Sequence, residues 1–311
     1  MLSAISKSFF HLLARSRALE ALASRVGMAR PTSFGRRFIA GETIDEAIAA
    51  ARAIQTGGMH VTLDQLGESV TTISGADAAT RIYLQTVDAI VGAGVERNIS
   101  LKLSQLGLNI DRATCTDNLR RILEASRPHD FFVRIDMEDS PTVPATLEVF
   151  QSVWDQGSRH VGLVLQSALY RSEEDARRLS DAGVRIRLVK GAYKEPKSVA
   201  YQKKADVDAA FVRIMDQLLR TGTYPALATH DPAIIDAAKR MAAANRIGND
   251  RYEFQMLYGI RRDLQAALVA EGFRLRLYVP FGTQWFPYFM RRLGERPANL
   301  AFVLRALIRD R

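Results

Sequence analysis

The sequence predicts an α/β fold, a single (β/α)8 barrel, on three observations. Eight short β-rich runs alternate with longer stretches of helical periodicity at intervals of about 22–40 residues, the rhythm of a strand–helix repeat. Nearly every run ends in polar or ionisable residues, although a strand covered on both faces normally stays apolar. In a barrel the carboxyl ends of the strands ring the active site. The 311 residues, 47% hydrophobic and 25% charged, suffice for one large core, and no Gly/Ser linker splits them. A doubly wound eight-stranded sheet is the competing layout. Residues 1–40 read as an amphipathic helical segment and residues 41–311 as one barrel domain.

In the opening segment Leu2, Ile5, Phe9, Leu12 and Leu13 recur at helical spacing, and Leu19, Leu22 and Val26 continue the pattern. Up to Gly41 seven basic residues (Lys7, Arg15, Arg17, Arg25, Arg30, Arg36, Arg37) face one acid, Glu20, and so supply six of the net +9. The remainder is nearly neutral, so no nucleic-acid-binding surface is expected. Three readings of the segment stay open: a helix packed across the barrel, a helix lying on an anionic membrane, or a mitochondrial transit peptide. No apolar stretch approaches the roughly 18–20 residues that span a bilayer. The single cysteine, Cys115, cannot form an internal disulfide and points to a reducing compartment.

The elements then follow in order. Thr43, with Glu46 three residues on, is a capping-box start for the first barrel helix. Strand runs begin at His60 (HVTLDQLG), Ile99 (ISLKLSQLG), Phe131 (FFVRIDME), Val161 (VGLVLQS), Arg185 (RIRLVKGAY), Ala226 (ALATHD), Tyr252 (YEFQMLYG) and Arg274 (RLRLYVPFG). Helical periodicity is clear over Ala78–Val91, Thr142–Trp154 and Pro232–Ala244, the last two opened by Ser140-Pro141 and Asp231-Pro232. Gly92-Ala93-Gly94 reads as a helix C-cap, since it follows a helix and Arg97 replaces the third small residue of a dinucleotide fingerprint. The polar strand ends are Asp64, Lys102, Asp136, Gln166, Arg187 with Lys190, Thr229 with His230, Gln255 and Tyr278. One of these could be an internal ion pair; eight in phase point to chemistry.

The five histidines show no zinc-binding spacing, and the chain has neither a Walker A loop nor a nucleophile elbow. A metal site is not expected. Asn98-Ile99-Ser100 is a glycosylation sequon by letter but falls in a predicted buried strand. Three segments are dense with chemistry: RIDMEDS at Arg134–Ser140, RLVKGAY at Arg187–Tyr193, and YVPFGTQWFPYFMRRLGERPANL at Tyr278–Leu300. In the last, Tyr288, Arg291, Arg292 and Glu295 share one helical face. Adjacent guanidinium forks suit a carboxylate, and a solvated basic helix end is the plain alternative.

These segments, with SLKLSQLG, VLQSALYR, ATHD and YEFQMLYG, resemble the FAD-dependent proline dehydrogenase family, in particular its short monofunctional bacterial branch. The similarity runs from about Phe38 onward, with the motifs in family order. The resemblance implies a distorted (β/α)8 barrel with accessory N-terminal helices. It implies oxidation of L-proline to 1-pyrroline-5-carboxylate on FAD, with electrons passed to the quinone pool, the first step of proline degradation to glutamate. It also implies peripheral association of a cytoplasmic protein with the inner membrane, or a mitochondrial location if the opening segment is a transit peptide. A pyrroline-5-carboxylate (glutamate-semialdehyde) dehydrogenase is the expected partner.

Residue by residue, the resemblance makes Arg291 and Arg292 the holders of the substrate carboxylate. It makes Lys102 the strand-2 lysine beside the substrate and Asp136 the acid that pairs with it. Arg187 becomes the arginine beside the reactive part of the flavin. Lys190, Gly191 and Ala192 match a cofactor-holding loop, and Met137, Gln166, Thr229 and His230 match further flavin contacts. Tyr278 and Tyr288 match walls of the proline ring, with Leu257 a further one, and Glu68 matches a gate. Gln284-Trp285 and Arg296-Pro297 depart from many relatives and leave the lid details open. Competing readings are a Schiff-base aldolase using Lys102 or Lys190, a folate-reducing flavin barrel, and a basic nucleic-acid or membrane binding module.

Overall fold

The computed structural model describes Met28 and residues 33–67 and 70–295, with the backbone alone for Phe34 and residues 291–295. Most of the opening segment and Glu68 therefore lie outside the described residues. A 3-10 turn, Phe34–Arg37, leads into α1 (Ile44–Thr56). Eight strand–helix units follow: β1 (His60–Gln65) with α2 (Ile73–Ala93), β2 (Asn98–Leu101) with α3 (Arg112–Ser126), β3 (Phe132–Ile135) with α4 (Val143–Asp155), and β4 (Val161–Gln166) with α5 (Ser172–Asp181). Then come β5 (Ile186–Val189) with α6 (Lys204–Thr221), β6 (Ala226–Ala228) with α7 (Pro232–Ala244), β7 (Glu253–Leu257) with α8 (Arg262–Ala270), and β8 (Leu275–Phe281) with α9 (Trp285–Glu295). The strands pair in chain order, and β8 returns to β1 in parallel register from His60–Arg276 to Gln65–Phe281. The barrel is closed, which excludes the doubly wound sheet.

Local chemistry sets the helix starts. At α1 the Thr43 hydroxyl accepts the Glu46 N–H at 3.3 Å while the Glu46 carboxylate accepts the Thr43 N–H at 3.2 Å, a reciprocal capping box. Thr72 caps α2 through the Gly75 N–H at 3.1 Å, so this helix begins earlier than its apolar periodicity shows. Gly94 closes it with φ 63°, the left-handed C-cap expected from the sequence. Asp231 caps α7 through the Ala233 N–H at 3.2 Å. The Ser140-Pro141 start is corrected: α4 begins at Val143 behind Thr142. The Ser140 amide and hydroxyl instead both donate to the Glu195 carboxylate, which ties this loop to the β5–α6 connection.

The apolar faces of the strands and helices form one core, in which Leu63, Ile99, Val133, Leu163, Leu188, Leu227 and Val279 join Ala47, Ile122, Phe150, Met215 and Ala238. The alternate residues turn into the lumen, as their bonds across it show: Arg187 on β5 reaches Ser100 on β2, Gln255 on β7 and Asp136 just beyond β3. Gly162 on β4 is a glycine for want of room, because a Cβ there would lie 2.4 Å from the Arg185 carbonyl oxygen and 2.9 Å from the Arg134 guanidinium.

A second, smaller core holds α9 in place. Trp285, Phe286, Tyr288, Phe289 and Met290 pack with Met28, Phe38, Ile39 and Leu66. Trp285 is fully buried, and its indole N–H donates to Glu42 at 2.9 Å. The departure at this position is thus a packing residue. Among the described residues no helix is long and apolar enough to cross a membrane.

Candidate active site

The lumen carries two tiers of polar side chains. In the lower one Glu253 receives two bonds from Arg276, at 2.8 and 3.0 Å, and Arg276 also donates to Glu96 at 2.8 Å and to the Val61 carbonyl at 2.7 Å. Arg134 donates to the carbonyls of Leu163 and Arg185, at 3.0 and 2.6 Å. Burial alone would raise the Glu253 carboxyl, but Arg276 outweighs it and holds the group down to about 2. This tier is an internal ion-pair network, the structural alternative that the polar strand ends had seemed to disfavour. It lies one step below the residues that the sequence singles out.

The upper tier brings four predicted residues together. The Lys102 ammonium, just beyond β2, donates to both Asp64 oxygens at 3.1 and 3.3 Å and to the Tyr278 hydroxyl at 3.3 Å, and lies 3.7 Å from Asp136. Tyr278 donates to the same Asp136 oxygen, Oδ2, at 2.8 Å. Arg187 is held from three strands' worth of neighbours, donating to Gln255 Oε1 at 2.6 Å, Asp136 Oδ1 at 2.6 Å and Ser100 Oγ at 2.9 Å. Its guanidinium lies 5.4 Å from the centre of the Tyr278 ring. Burial pushes the Asp64 carboxyl up to about 6, against the pull of Lys102, and Asp136 adds to the rise. The Tyr278 hydroxyl is raised by burial and by the two aspartates, so it stays a donor.

The rim follows the carboxyl ends of β3 to β7. Gln166 donates to the Glu138 carbonyl at 2.7 Å, and the Glu138 carboxylate accepts from the Ser104 amide and hydroxyl at 3.0 and 2.6 Å. Gly191 has φ 110°, and a Cβ there would lie 3.1 Å from Gln166 Oε1 and 3.3 Å from Ala168. Met137 is buried, while Gly191 and Ala192 are exposed. Lys190 sits between Asp208 at 2.6 Å and Asp231 at 2.8 Å. Thr229 accepts the Asp231 N–H at 3.1 Å. The Leu257 N–H donates to His230 Nε2 at 3.0 Å, which places the proton of the neutral ring on Nδ1.

Lys102, Asp136, Arg187 and Tyr278 form one cluster, and Gln166 meets Gly191. Tyr288 is buried on α9 among the residues of the small core. Arg291 and Arg292 stand on α9, with side chains outside the description, and Glu68 is outside it altogether. Sequence reasoning passed over Ser100, Glu138, Asp208 and Asp231 as site groups and took Asp64 and Gln255 only as polar strand ends. A signal was present: Thr62 and Asp64, Ser100 and Lys102, Arg134 and Asp136, Glu253 and Gln255, and Arg276 and Tyr278 are polar pairs two residues apart, hence on one strand face.

A closed (β/α)8 barrel with a buried cluster of acid, lysine, arginine and tyrosine at the carboxyl ends of its strands defines an enzyme of the barrel class. The model of the family described as Proline dehydrogenase matches residues 47–305, and the chain belongs to that family. It is 44% identical over 281 residues to a proline dehydrogenase of Deinococcus radiodurans, covering 89% of this chain and 91% of that protein. It is 39% identical over 303 residues to proline dehydrogenase 2 of Bacillus subtilis, covering 97% of this chain and 99% of that one. Among solved structures it resembles proline utilization A of Bdellovibrio bacteriovorus inactivated by N-propargylglycine, with TM-score 0.78 and 26% identity over 84% of this chain. The chain spans 32% of that much longer protein.

Proposed function

We propose that the chain oxidises L-proline to 1-pyrroline-5-carboxylate with FAD as its bound acceptor, and that the electrons pass to the quinone pool. The observation that carries this reading is the setting of Arg187. Three bonds fix its guanidinium in the lumen, and of its five N–H groups two remain to face another molecule. A fixed cation in a buried site is what stabilises negative charge developing on an acceptor.

The rim fits a flavin cofactor. Gly191, whose missing Cβ leaves the backbone close to Gln166, gives a flat approach. Around it Met137, Gln166, Lys190, Ala192, Thr229 and His230 would hold the group, with Lys190 and the Nδ1–H of His230 as donors. When bound, FAD would supply the two-electron chemistry by accepting hydride from the ring carbon.

The chain's own residues do the rest. Arg291 and Arg292 clasp the substrate carboxylate, and Tyr278, Tyr288 and Leu257 wall the ring, so that one C–H bond is aimed. Proline arrives as an ammonium, which has no lone pair to form the imine, so its proton must leave first. Asp136 and Asp64 offer the ammonium acceptor oxygens in a cluster whose charge Lys102 and Arg187 balance, and Asp64, raised to about 6, exchanges protons around neutral pH. Lys102 keeps the two acids apart and Glu68 gates the mouth. The basic amphipathic start of the chain attaches the protein peripherally to the inner membrane, where quinone resides. A dehydrogenase acting on the reactive product is the natural partner, and the 31% identical relative from Escherichia coli is named a bifunctional protein.

The test is optical. Purified protein supplied with FAD is expected to turn yellow, to lose the oxidised-flavin band on anaerobic addition of proline, and to regain it with a soluble quinone. Folded protein that takes up no FAD would overturn the reading.

A further inference from the structure

The three bonds on Arg187 differ in kind. Asp136 lies just beyond β3 and Ser100 is a buried residue of β2 whose hydroxyl also meets that of Thr62 at 3.1 Å, whereas Gln255 comes from β7 and connects Arg187 to a carboxylate of the tier below. A carboxamide can flip, and a flipped Gln255 would set its NH2 against the Arg187 Nε–H and its oxygen against an acid. It is not free to do so. Its Nε2 donates to Glu253 Oε1, while its Oε1 accepts from Arg187 Nε. Glu253 is itself fixed by two bonds from Arg276 and one from the Tyr224 hydroxyl at 3.2 Å. All four of Gln255, Glu253, Arg276 and Arg187 are at most 5% exposed. The chain therefore runs unbroken from a buried carboxylate to the free edge of the guanidinium.

We propose that Gln255 and Glu253 are positioning residues for the redox step: Glu253 sets the orientation of the Gln255 amide, and Gln255 aims the two remaining N–H groups of Arg187 at the acceptor. The proposal rests on the reading that Arg187 faces a flavin. Arg276 holds Glu253 ionised, down to about 2, so the amide is oriented at every pH at which the protein works. Glu96 belongs to the same network through Arg276 but lies off the path to Gln255, so it reports structure without aim.

The experiment compares Gln255→Met, the milder Gln255→Asn, and Glu96→Gln in the FAD-loaded enzyme. The readouts are the flavin midpoint potential, kcat and KM for proline, and Tm. Both Gln255 variants are expected to shift the potential to more negative values, because the reduced, anionic flavin loses part of its fixed cation. They are also expected to lower kcat about tenfold with KM within about threefold, since the substrate clamp is untouched. Glu96→Gln should lower Tm and leave potential and kcat as in wild type. Wild-type potential and kcat in either folded Gln255 variant overturn the proposal, as does an equal shift in potential in Glu96→Gln. Wild-type protein that binds no flavin would instead sink the functional reading beneath it.

Discussion

Arg187 and the Arg291–Arg292 pair mark two ways in which a single residue can matter. Arg187 is buried on β5 and tied on three sides, so its loss would leave Asp136, Ser100 and Gln255 with unmatched polar atoms as well as removing a cation. The pair on α9 carries the prediction best suited to this scale. Arg291→Met and Arg292→Met each remove one cationic fork while keeping an unbranched chain of similar reach. A charge-assisted bond to a desolvated carboxylate contributes about 1.5–3 kcal/mol, so kcat/KM for proline should fall at least about tenfold in each. Tetrahydrofuroic acid, a carboxylate without an oxidisable amine, should bind more weakly in parallel, and flavin content should stay near wild type. Wild-type kinetics in both would return the pair to a solvated helix end.

At the scale of elements, α9 depends on its packing more than on its sequence pattern. Trp285 opens the helix, is fully buried, and meets Phe286 and Phe289 edge-on with ring centroids 6.1 and 5.8 Å away. Arg291 and Arg292 stand about two turns further along. Trp285→Ala should cost about 3–5 kcal/mol. The milder Trp285→Phe, which loses the bond to Glu42, should lower Tm and raise KM for proline more than it changes kcat. An unchanged KM at a lowered Tm would mean that α9 holds its pose without this anchor.

The barrel was legible because strand–helix alternation writes its period directly into the chain, and the lumen-facing residues repeat every second position. The pairing among those residues was not. Glu253 and Arg276 are 23 positions apart, and only the β7–β8 register, which sets Gln255 beside Arg276, turns them into a buried pair. Ser100 was masked by its place in a sequon, and Ser140 looked like a cap until Glu195, 55 residues away, took both of its donors. Lys102, Asp136, Arg187 and Tyr278 stood out as polar strand ends and took their roles from the resemblance, and the fold brings them within bonding distance. Periodicity tells which face a residue occupies; closure of the sheet decides whom it meets.

For the whole molecule, Arg276 joins β7, β8 and β1 by bonding Glu253, the Glu96 carboxylate before β2, and the Val61 carbonyl. The folded pKa of Glu253, about 2, is depressed from an ordinary 4.5. Its contribution, about 3 kcal/mol, is therefore fully present above pH 4.5 and is lost as pH falls toward 2. In acid titrations followed by circular dichroism, wild type should lose stability more steeply than Glu253→Gln between pH 4.5 and 3, although the variant is less stable at pH 7. Parallel acid slopes would show that the fold does not depress the Glu253 carboxyl.

The closing seam also bears on how the protein is made. Every register partner of β1 on β8 lies some 216 residues further along the chain. At about 5–20 residues per second, translation delivers β8 roughly 10–40 s after β1. Until then Asp64 waits on β1 with that strand's other edge open, Lys102 at the end of β2 lacks Tyr278, and Val61 lacks Arg276. A nascent chain cannot assemble the site piecemeal. The half-built barrel on the ribosome is inert toward its substrate and exposed along that edge, so the interval before β8 emerges is when the chain has most need of a chaperone.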